Sequence, residues 1–110
     1  MKAIFITEHG GPEVLEIRET PAPTCGPRDL LVRVHASALN RADLLQRKGL
    51  YPAPPGSPSQ IPGLELAGVV EARGSEATKF NVGDRVMGIV GGGAGAELCL
   101  LHEDIAMPIH

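Results

Sequence analysis

The chain has 110 residues and a formal net charge of −3, from 10 lysines and arginines against 13 acidic residues. That length has room for one domain, and without a basic patch a nucleic-acid-binding role is excluded. No apolar run approaches the roughly 18 residues of a membrane span, and the opening apolar run is too short for a signal peptide. We therefore expect a cytoplasmic protein with neither nucleic acid nor membrane as partner.

Strands alternate with turn signals through the first third of the chain. Residues 3–7 and 14–19 are predicted strands, and His9-Gly10-Gly11-Pro12 marks the turn between them. Residues 30–36 form the clearest predicted strand, because Leu30, Val32 and Val34 share one face while Arg33 and His35 lie on the other. The prolines in residues 21–27 lack the N–H donors that a sheet needs, so no strand is expected there.

One short helix is predicted over residues 41–48. Asn40 can serve as its N-cap, and Asp43 stands at the reciprocal position of a capping box. Gly49 is a suitable C-terminal stop. The residues that follow, up to position 62, are rich in proline, glycine and serine and predict a loop.

The second half returns to strand patterns, over residues 66–71, 85–90, 97–101 and 105–109. Gly91, Gly93 and Ala96 match the spacing G-x-G-x-x-A, which cradles a pyrophosphate only between a strand and a helix. Because a strand pattern follows, we expect a barrel corner at this position. The fold predicted from these elements is mainly β, a small and partly open β-barrel with one short helix.

The cysteines and histidines give no metal-binding pattern. Cys25 and Cys99 are far apart, the four histidines are scattered, and neither C-x-x-C nor H-x-x-x-H occurs. We expect reduced thiols and packing roles for these residues, and no dedicated zinc site.

Four segments, residues 36–44, 49–52, 62–71 and 82–86, carry a resemblance to a known family. In this order and spacing they resemble the medium-chain dehydrogenase/reductase superfamily. Within it they are most similar to the zinc-independent quinone oxidoreductases, in the tumour-suppressor-inducible branch. The resemblance implies that residues 1–110 form a chaperonin-10-like (GroES-like) domain on the substrate side of a cleft. We expect the chain to stop before the family's NADP(H)-binding Rossmann domain.

Departures from the zinc-dependent branch of this family are informative. Asn40 stands where that branch has a cysteine ligand, and Leu64 stands where it has a histidine. Asparagine is a poor zinc ligand and leucine is none. The stretch between Asp84 and Glu97 is too short for that branch's structural-zinc lobe. A quinone or an activated alkene needs less help from a metal Lewis acid than a simple carbonyl does, because its own conjugation accepts the hydride.

The resemblance implies roles for three residues near the predicted helix. Tyr51 and Asn40 are the candidate catalytic residues that would orient the acceptor, and Asn40 with Arg41 would contact the cofactor. Each has a structural alternative. Asn40 can be a helix cap, Tyr51 an aromatic plug over the barrel, and Arg41 a solvated helix residue.

Other residues in the matching segments are expected to be structural. Asp43 is interpreted as a cap. Glu65 corresponds to a family glutamate near the cleft floor, where a buried carboxylate needs a hydrogen-bond or ion-pair partner. We interpret Gly63, Gly68 and Gly83 as positions where the backbone requires glycine.

The sequence leaves three candidate functions. The leading one is the substrate-side domain of a zinc-independent, NADPH-dependent quinone oxidoreductase, with NADPH bound mainly by a domain outside this chain. An enoyl or 2-enal reductase of the same superfamily and a non-enzymatic co-chaperonin-like module are the alternatives. The chain by itself is expected to be inactive, and a homodimer is a possible assembly of the whole protein.

Overall fold

The structure is a computed structural model, and it describes residues 1–8, 10, 15–38 and 61–109. The described residues contain seven β-strands and no helix. The strands are β1 (Lys2–Ile6), β2 (Leu15–Glu19), β3 (Asp29–Ala38), β4 (Glu65–Arg73), β5 (Arg85–Ile89), β6 (Leu98–His102) and β7 (Met107–Pro108). The helix predicted over 41–48 lies outside the described residues.

The strands form two antiparallel sheets. β1 and β2 make a two-stranded ribbon, and the other five strands lie in the order β6-β3-β4-β5-β7. The ribbon joins the larger sheet through the stretch before β6. There the Ile4 N–H donates to the Gly95 carbonyl at 2.8 Å, and Ala3 forms an isolated bridge with Ala96. The mainly β, incompletely closed barrel predicted from the sequence is therefore confirmed.

The core lies on the inner face of the five-stranded sheet. Burial alternates along β4, β5 and β6, as expected for strands with one solvent-exposed face. Val32, Val70, Val86 and Leu101 are fully buried, each from a different strand. β2 contributes nothing to this core, since all five of its residues are exposed.

The last predicted strand is shorter than expected. The sequence predicts a strand over residues 105–109, but the structure places only Met107–Pro108 in β7. The Ile105 N–H donates to the His102 carbonyl at 3.1 Å and closes a turn over residues 102–105. The prediction was wrong there, because this local hydrogen bond takes Ile105 out of the ladder.

Candidate functional site

The sequence-predicted site residues Asn40, Arg41 and Tyr51 lie outside the described residues, as does Asp43. Their roles remain predictions. The described chain flanks them at Ala38, the last residue of β3, and at Ile61, just before β4. Ala38 is paired with Glu65, the first residue of β4, so both flanks belong to the same end of the five-stranded sheet.

Two backbone segments are joined at that end. We call residues 61–64 the incoming segment and residues 90–95 the glycine corner. The Val90 N–H donates to the Leu64 carbonyl at 2.7 Å, and the Gly93 N–H donates to the Ile61 carbonyl at 2.8 Å. The N–H groups of Ala94 and Gly95 donate to the carbonyls of Gly63 and Pro62, at 3.1 and 2.8 Å. Four hydrogen bonds thus fix the corner on the chain that leads into β4.

Glycine at position 63 is what lets these segments approach. Its φ is 108°, and a Cβ built there would lie 2.5 Å from the backbone nitrogen of Gly95. Gly83 also has a positive φ, of 96°. At Gly68 a Cβ would lie 2.1 Å from the Arg33 carbonyl oxygen on the neighbouring strand. All three glycines are backbone requirements, as predicted.

The glycine corner is not a phosphate cradle. It lies between β5 and β6, so a strand rather than a helix follows it. A G-x-G-x-x-A sequence without the following helix lacks the N-terminal amides that hold a pyrophosphate. The prediction of a barrel corner is confirmed.

Glu65 differs from its predicted environment. A buried carboxylate with a partner is predicted at this position, but the Glu65 side chain is exposed. Strand alternation is the reason, since Leu64 and Leu66 are turned inward on either side of it. Within the described ranges, no hydrogen bond or ion pair to its carboxylate is seen. An exposed carboxylate can keep water as its partner.

A cavity of about 890 Å³ opens beside the glycine corner. Its wall on the corner side consists of Ile61, Val90 and three successive glycines, Gly91, Gly92 and Gly93. Residues of β6 also line the cavity, as do Pro21 and Pro23. The volume falls within the range of about 300–1,000 Å³ that small-molecule sites occupy.

Few of the described residues that line this cavity are polar. Asp29 and His102 contribute to its lining and are paired across β3 and β6. The His102 Nδ1 accepts a hydrogen bond from the Asp104 N–H at 3.1 Å. An apolar cavity with a small number of polar groups at one place suits a largely apolar ligand with a few hydrogen-bonding atoms.

Glu103 follows His102 directly and is the one buried charged residue in the described part of the chain. Its Oε1 accepts hydrogen bonds from the N–H groups of Lys79 and Thr78, at 3.0 and 2.8 Å. Those two donors hold the pKa of Glu103 below its usual range, with a smaller contribution from Arg28, whose Nε lies 3.7 Å from Oε2. The carboxylate thereby connects three segments outside the strands, around Arg28, Thr78 and Glu103 itself.

Neither Glu103 nor the cavity was anticipated from the sequence. Glu103 sits in a polar stretch that is typical of an exposed turn, so no local signal marks its burial. Three successive glycines after an apolar strand are the one local signal for the cavity wall, although by themselves they predict only a corner.

Both cysteines are free thiols, as expected. Burial raises the pKa of Cys99 to about 11. Burial, and then the charge of Asp29, raise the pKa of Cys25. Over the residues that the structure describes, no group of three His, Cys, Asp or Glu side chains could hold a metal ion. No helix in the same residues is long and apolar enough to cross a membrane.

Comparison with known proteins gives consistent matches. Residues 26–110 match the family described as the alcohol dehydrogenase GroES-like domain. A quinone oxidoreductase of Pseudomonas aeruginosa is 51% identical over 104 residues, which cover 94% of this chain and 31% of that protein.

Two crystal structures extend the similarity to the fold. Quinone oxidoreductase from Pseudomonas syringae pv. tomato superposes with a TM-score of 0.90 at 42% identity, over 99% of this chain and 33% of its own. Escherichia coli quinone oxidoreductase complexed with NADPH superposes with a TM-score of 0.90 at 32% identity. The match covers 100% of this chain and 33% of the Escherichia coli chain. The chain therefore spans about a third of the length of the relatives it matches.

Proposed function

Because this chain belongs to the alcohol dehydrogenase GroES-like domain family of the medium-chain dehydrogenase/reductase superfamily, we propose that it is the substrate-side domain of a zinc-independent, NADPH-dependent quinone oxidoreductase. The observation that carries this proposal is the 51% identity to a quinone oxidoreductase across nearly the whole chain. Relatives of this kind support an oxidoreductase role for the protein to which the domain belongs.

The dinucleotide would be bound by other parts of the enzyme. The described residues contain only antiparallel strand pairs, and their glycine corner leads into β6. A dinucleotide site needs a parallel βαβ unit with a helix N-terminus at the pyrophosphate, so these residues do not fit that group. The similarity to a quinone oxidoreductase complexed with NADPH supports NADPH as the cofactor of the whole protein. When bound, NADPH would supply the hydride.

The residue types favour chemistry without zinc. Leu64 is buried at the position where the resemblance places a histidine ligand, and its side chain has no donor atom. A quinone accepts a hydride and one proton to become a hydroquinone, and its conjugated carbonyls need no Lewis acid for this.

This chain would contribute by enclosing and orienting the bound acceptor. The glycine corner is fixed by four hydrogen bonds to the incoming segment, so the cavity wall beside it is rigid. Apolar side chains such as Ile61 and Val90 would exclude water from one side of a bound ring. We propose that Asn40 and Tyr51 orient the acceptor and that Asn40 and Arg41 lie toward the cofactor. Proximity and orientation are then the main catalytic effects.

An enoyl or 2-enal reductase is the second candidate, because the same apolar cavity suits a conjugated alkene. The ratio of kcat/KM for quinones to that for 2-enals separates the two. A co-chaperonin-like module is the third candidate. It predicts a stable ring in size-exclusion chromatography and no nicotinamide chemistry, whereas the proposed enzyme is expected to run as a monomer or a homodimer.

The test uses the full-length protein after treatment with a chelator. NADPH absorbance is followed with an ortho- or para-quinone added, and we expect consumption to persist without metal. Tyr51→Phe should then lower kcat/KM. Phe5→Leu on β1, a substitution outside the cavity, is the control. Consumption that disappears with the chelator would overturn zinc independence, and no consumption with any quinone would overturn the proposed substrate class.

A further inference from the structure

The turn over residues 102–105 contains a histidine whose two charge states need different hydrogen-bond partners. In the structure the Asp104 N–H donates to Nδ1 of His102 at 3.1 Å. A ring nitrogen that accepts a hydrogen bond carries no proton, so this imidazole is neutral and its proton is on Nε2. Protonation would add an N–H at Nδ1, directly opposite the Asp104 N–H, and the hydrogen bond between them would be lost.

A replacement partner lies beside the ring. The Oδ2 atom of Asp104 is 3.9 Å from His102 Nδ1, about 1 Å beyond the length of a charge-assisted hydrogen bond. The other carboxylate oxygen, Oδ1, accepts a hydrogen bond from the Lys79 ammonium. That hydrogen bond holds the pKa of Asp104 below its usual range, so the carboxylate stays ionised where histidines ordinarily change charge, at about pH 6.5.

The other charges at this turn favour an additional cation. Asp29 is paired with His102 across β3 and β6 and lines the same cavity. Among the described residues, the charged side chains linked to the turn by strand pairing or ion pairs are three carboxylates and two cations: Asp29, Glu103, Asp104, Arg28 and Lys79. Met1 also lines the cavity, and its ammonium lies 3.5 Å from Glu19 Oε2, which balances its charge. A protonated His102 would make the charges at the turn equal in number.

The two halves of the turn differ in how firmly they are held. Glu103 is buried, and both its N–H and its carboxylate are hydrogen-bonded to other segments of the chain. Asp104 and Ile105 are exposed, so water can reach any polar group that loses its partner there. His102 and Ile105 both line the cavity, and a change in the turn therefore alters one of its walls.

We propose that residues 102–105 form a pH-sensitive turn, in which protonation of His102 exchanges its hydrogen bond with the Asp104 N–H for one with the Asp104 carboxylate. Above neutral pH, Nδ1 accepts from the N–H. Below about pH 6, Nδ1 donates to Oδ2, the carboxylate is bound by both His102 and Lys79, and the released N–H turns to water. The exchange needs neither a quinone nor NADPH, so its test is independent of the proposed function.

A pH titration of the 110-residue chain by NMR tests the exchange. At about pH 8 we expect the proton of the His102 ring on Nε2, and a coupling through the hydrogen bond between the Asp104 amide nitrogen and Nδ1. At about pH 5.5 this coupling should be lost, and the amide signals of Asp104 and Ile105 should have moved with the midpoint of the ring signals. A ring proton on Nδ1, or no coupling, at the higher pH would overturn the inference.

His102→Asn removes the charge and keeps an acceptor, because the amide oxygen of asparagine can lie near the position of Nδ1. In this variant the Asp104 and Ile105 signals should stay constant between the two pH values. His35→Asn is the matched control, the same substitution at an exposed position of β3, and it should leave the titration of the turn unchanged. Signals that move in His102→Asn as far as in the unchanged chain would assign the change to another group and overturn the inference.

Asp104→Asn distinguishes the exchange from the field of a charged ring, and it serves as the test if His102→Asn does not fold. This variant keeps the N–H at position 104 and removes the carboxylate. The coupling should again be lost on acidification, but the Ile105 signals should hardly move, because no carboxylate is drawn to the ring. Ile105 signals that move as far as in the unchanged chain would mean that no exchange takes place.

Discussion

Gly63 shows how a single missing side chain positions the corner of the site. A Cβ there would lie 2.5 Å from the Gly95 nitrogen and 2.9 Å from both the carbonyl carbon and the Cβ of Ala94. The residue therefore combines a positive φ with a backbone contact that leaves no room. Gly83 has a similar φ, but a Cβ built on it would meet nothing within 4 Å.

This difference gives a matched pair of substitutions. Gly83→Ala should cost only the backbone strain of a left-handed conformation, about 1–2 kcal/mol in the free energy of unfolding. Gly63→Ala should cost more than about 2 kcal/mol, because the collision with Gly95 is added to that strain. Urea denaturation measures both. Equal losses of stability would mean that the close approach of the two segments adds nothing to the cost of a side chain at position 63.

Glu103 shows how a charge is kept in the interior. The carboxylate is buried, yet two backbone N–H groups and the Arg28 guanidinium favour its ionised form. Since the pKa of Glu103 is lowered by folding, ionisation stabilises the folded state above the usual glutamate pKa of about 4.3. That stabilisation is lost as the pH falls through the lowered pKa.

Glu103→Gln should therefore be destabilising, and by an amount that depends on pH. The difference in free energy of unfolding between the unchanged chain and the variant should be constant above about pH 5.5 and should shrink on acidification. Glu76→Gln, at an exposed position, is the control and should change stability little at any pH. Thermal unfolding followed by circular dichroism at a series of pH values would check this. A pH-independent difference would contradict the role of the charge.

At the scale of elements, the curl of the larger sheet brings together strands that are not neighbours. β5 and β6 are separated by two other strands in the sheet. Even so, a Cβ on Gly88 of β5 would lie 2.6 Å from Cδ1 of Leu101 on β6. Leu101 is fully buried, so its side chain fills the space that Gly88 leaves across the inside of the sheet.

A double-mutant cycle tests this contact between β5 and β6. Leu101→Ala should destabilise the fold by about 2–5 kcal/mol through the cavity it leaves. Gly88→Ala should cost about 1–3 kcal/mol through overpacking. In the Leu101→Ala background the added methyl group has room, so Gly88→Ala should cost little, which corresponds to a coupling of about 0.5–3 kcal/mol. Additive losses would show that the two strands do not pack against each other.

At the scale of the whole molecule, the buried thiol of Cys99 reports on the opening of the core. Cys99 lies on β6, is 4% exposed, and has a pKa of about 11. Because the thiolate is the reactive form, only on the order of one in a thousand of these thiols is ionised at pH 8. Cys25 is half-buried and outside the strands.

We expect an exposed-thiol reagent to modify Cys25 first and Cys99 only as the core opens. In Cys25→Ser, the labelling rate of Cys99 in mild denaturant should follow the free energy of global unfolding. The Leu101→Ala variant, which weakens the same strand, should label faster by the factor that its loss of stability implies. Labelling of Cys99 at a rate independent of denaturant would point to local fraying of β6 instead.

The strands and turns of this protein were determined largely by the local sequence. Short apolar runs and the turn residues that bound them are properties of neighbouring positions, so β3, β4, β5 and β6 could be predicted to within two residues at each end. The prolines of residues 21–27 act through their own missing N–H groups, so the gap before β3 was predictable as well. The family resemblance was also carried by the sequence alone, and the comparisons confirm it.

Only the tertiary structure decided which side chains those strands would bury or bring together. Glu65 was expected inside and is exposed, whereas Glu103 looked like a turn residue and is buried. Ile105 left its predicted strand for a turn. The cavity beside Gly91 exists because residues 61–64, 90–95 and β6 meet in space. These outcomes depend on hydrogen bonds and contacts between residues distant in the chain, which local periodicity does not encode.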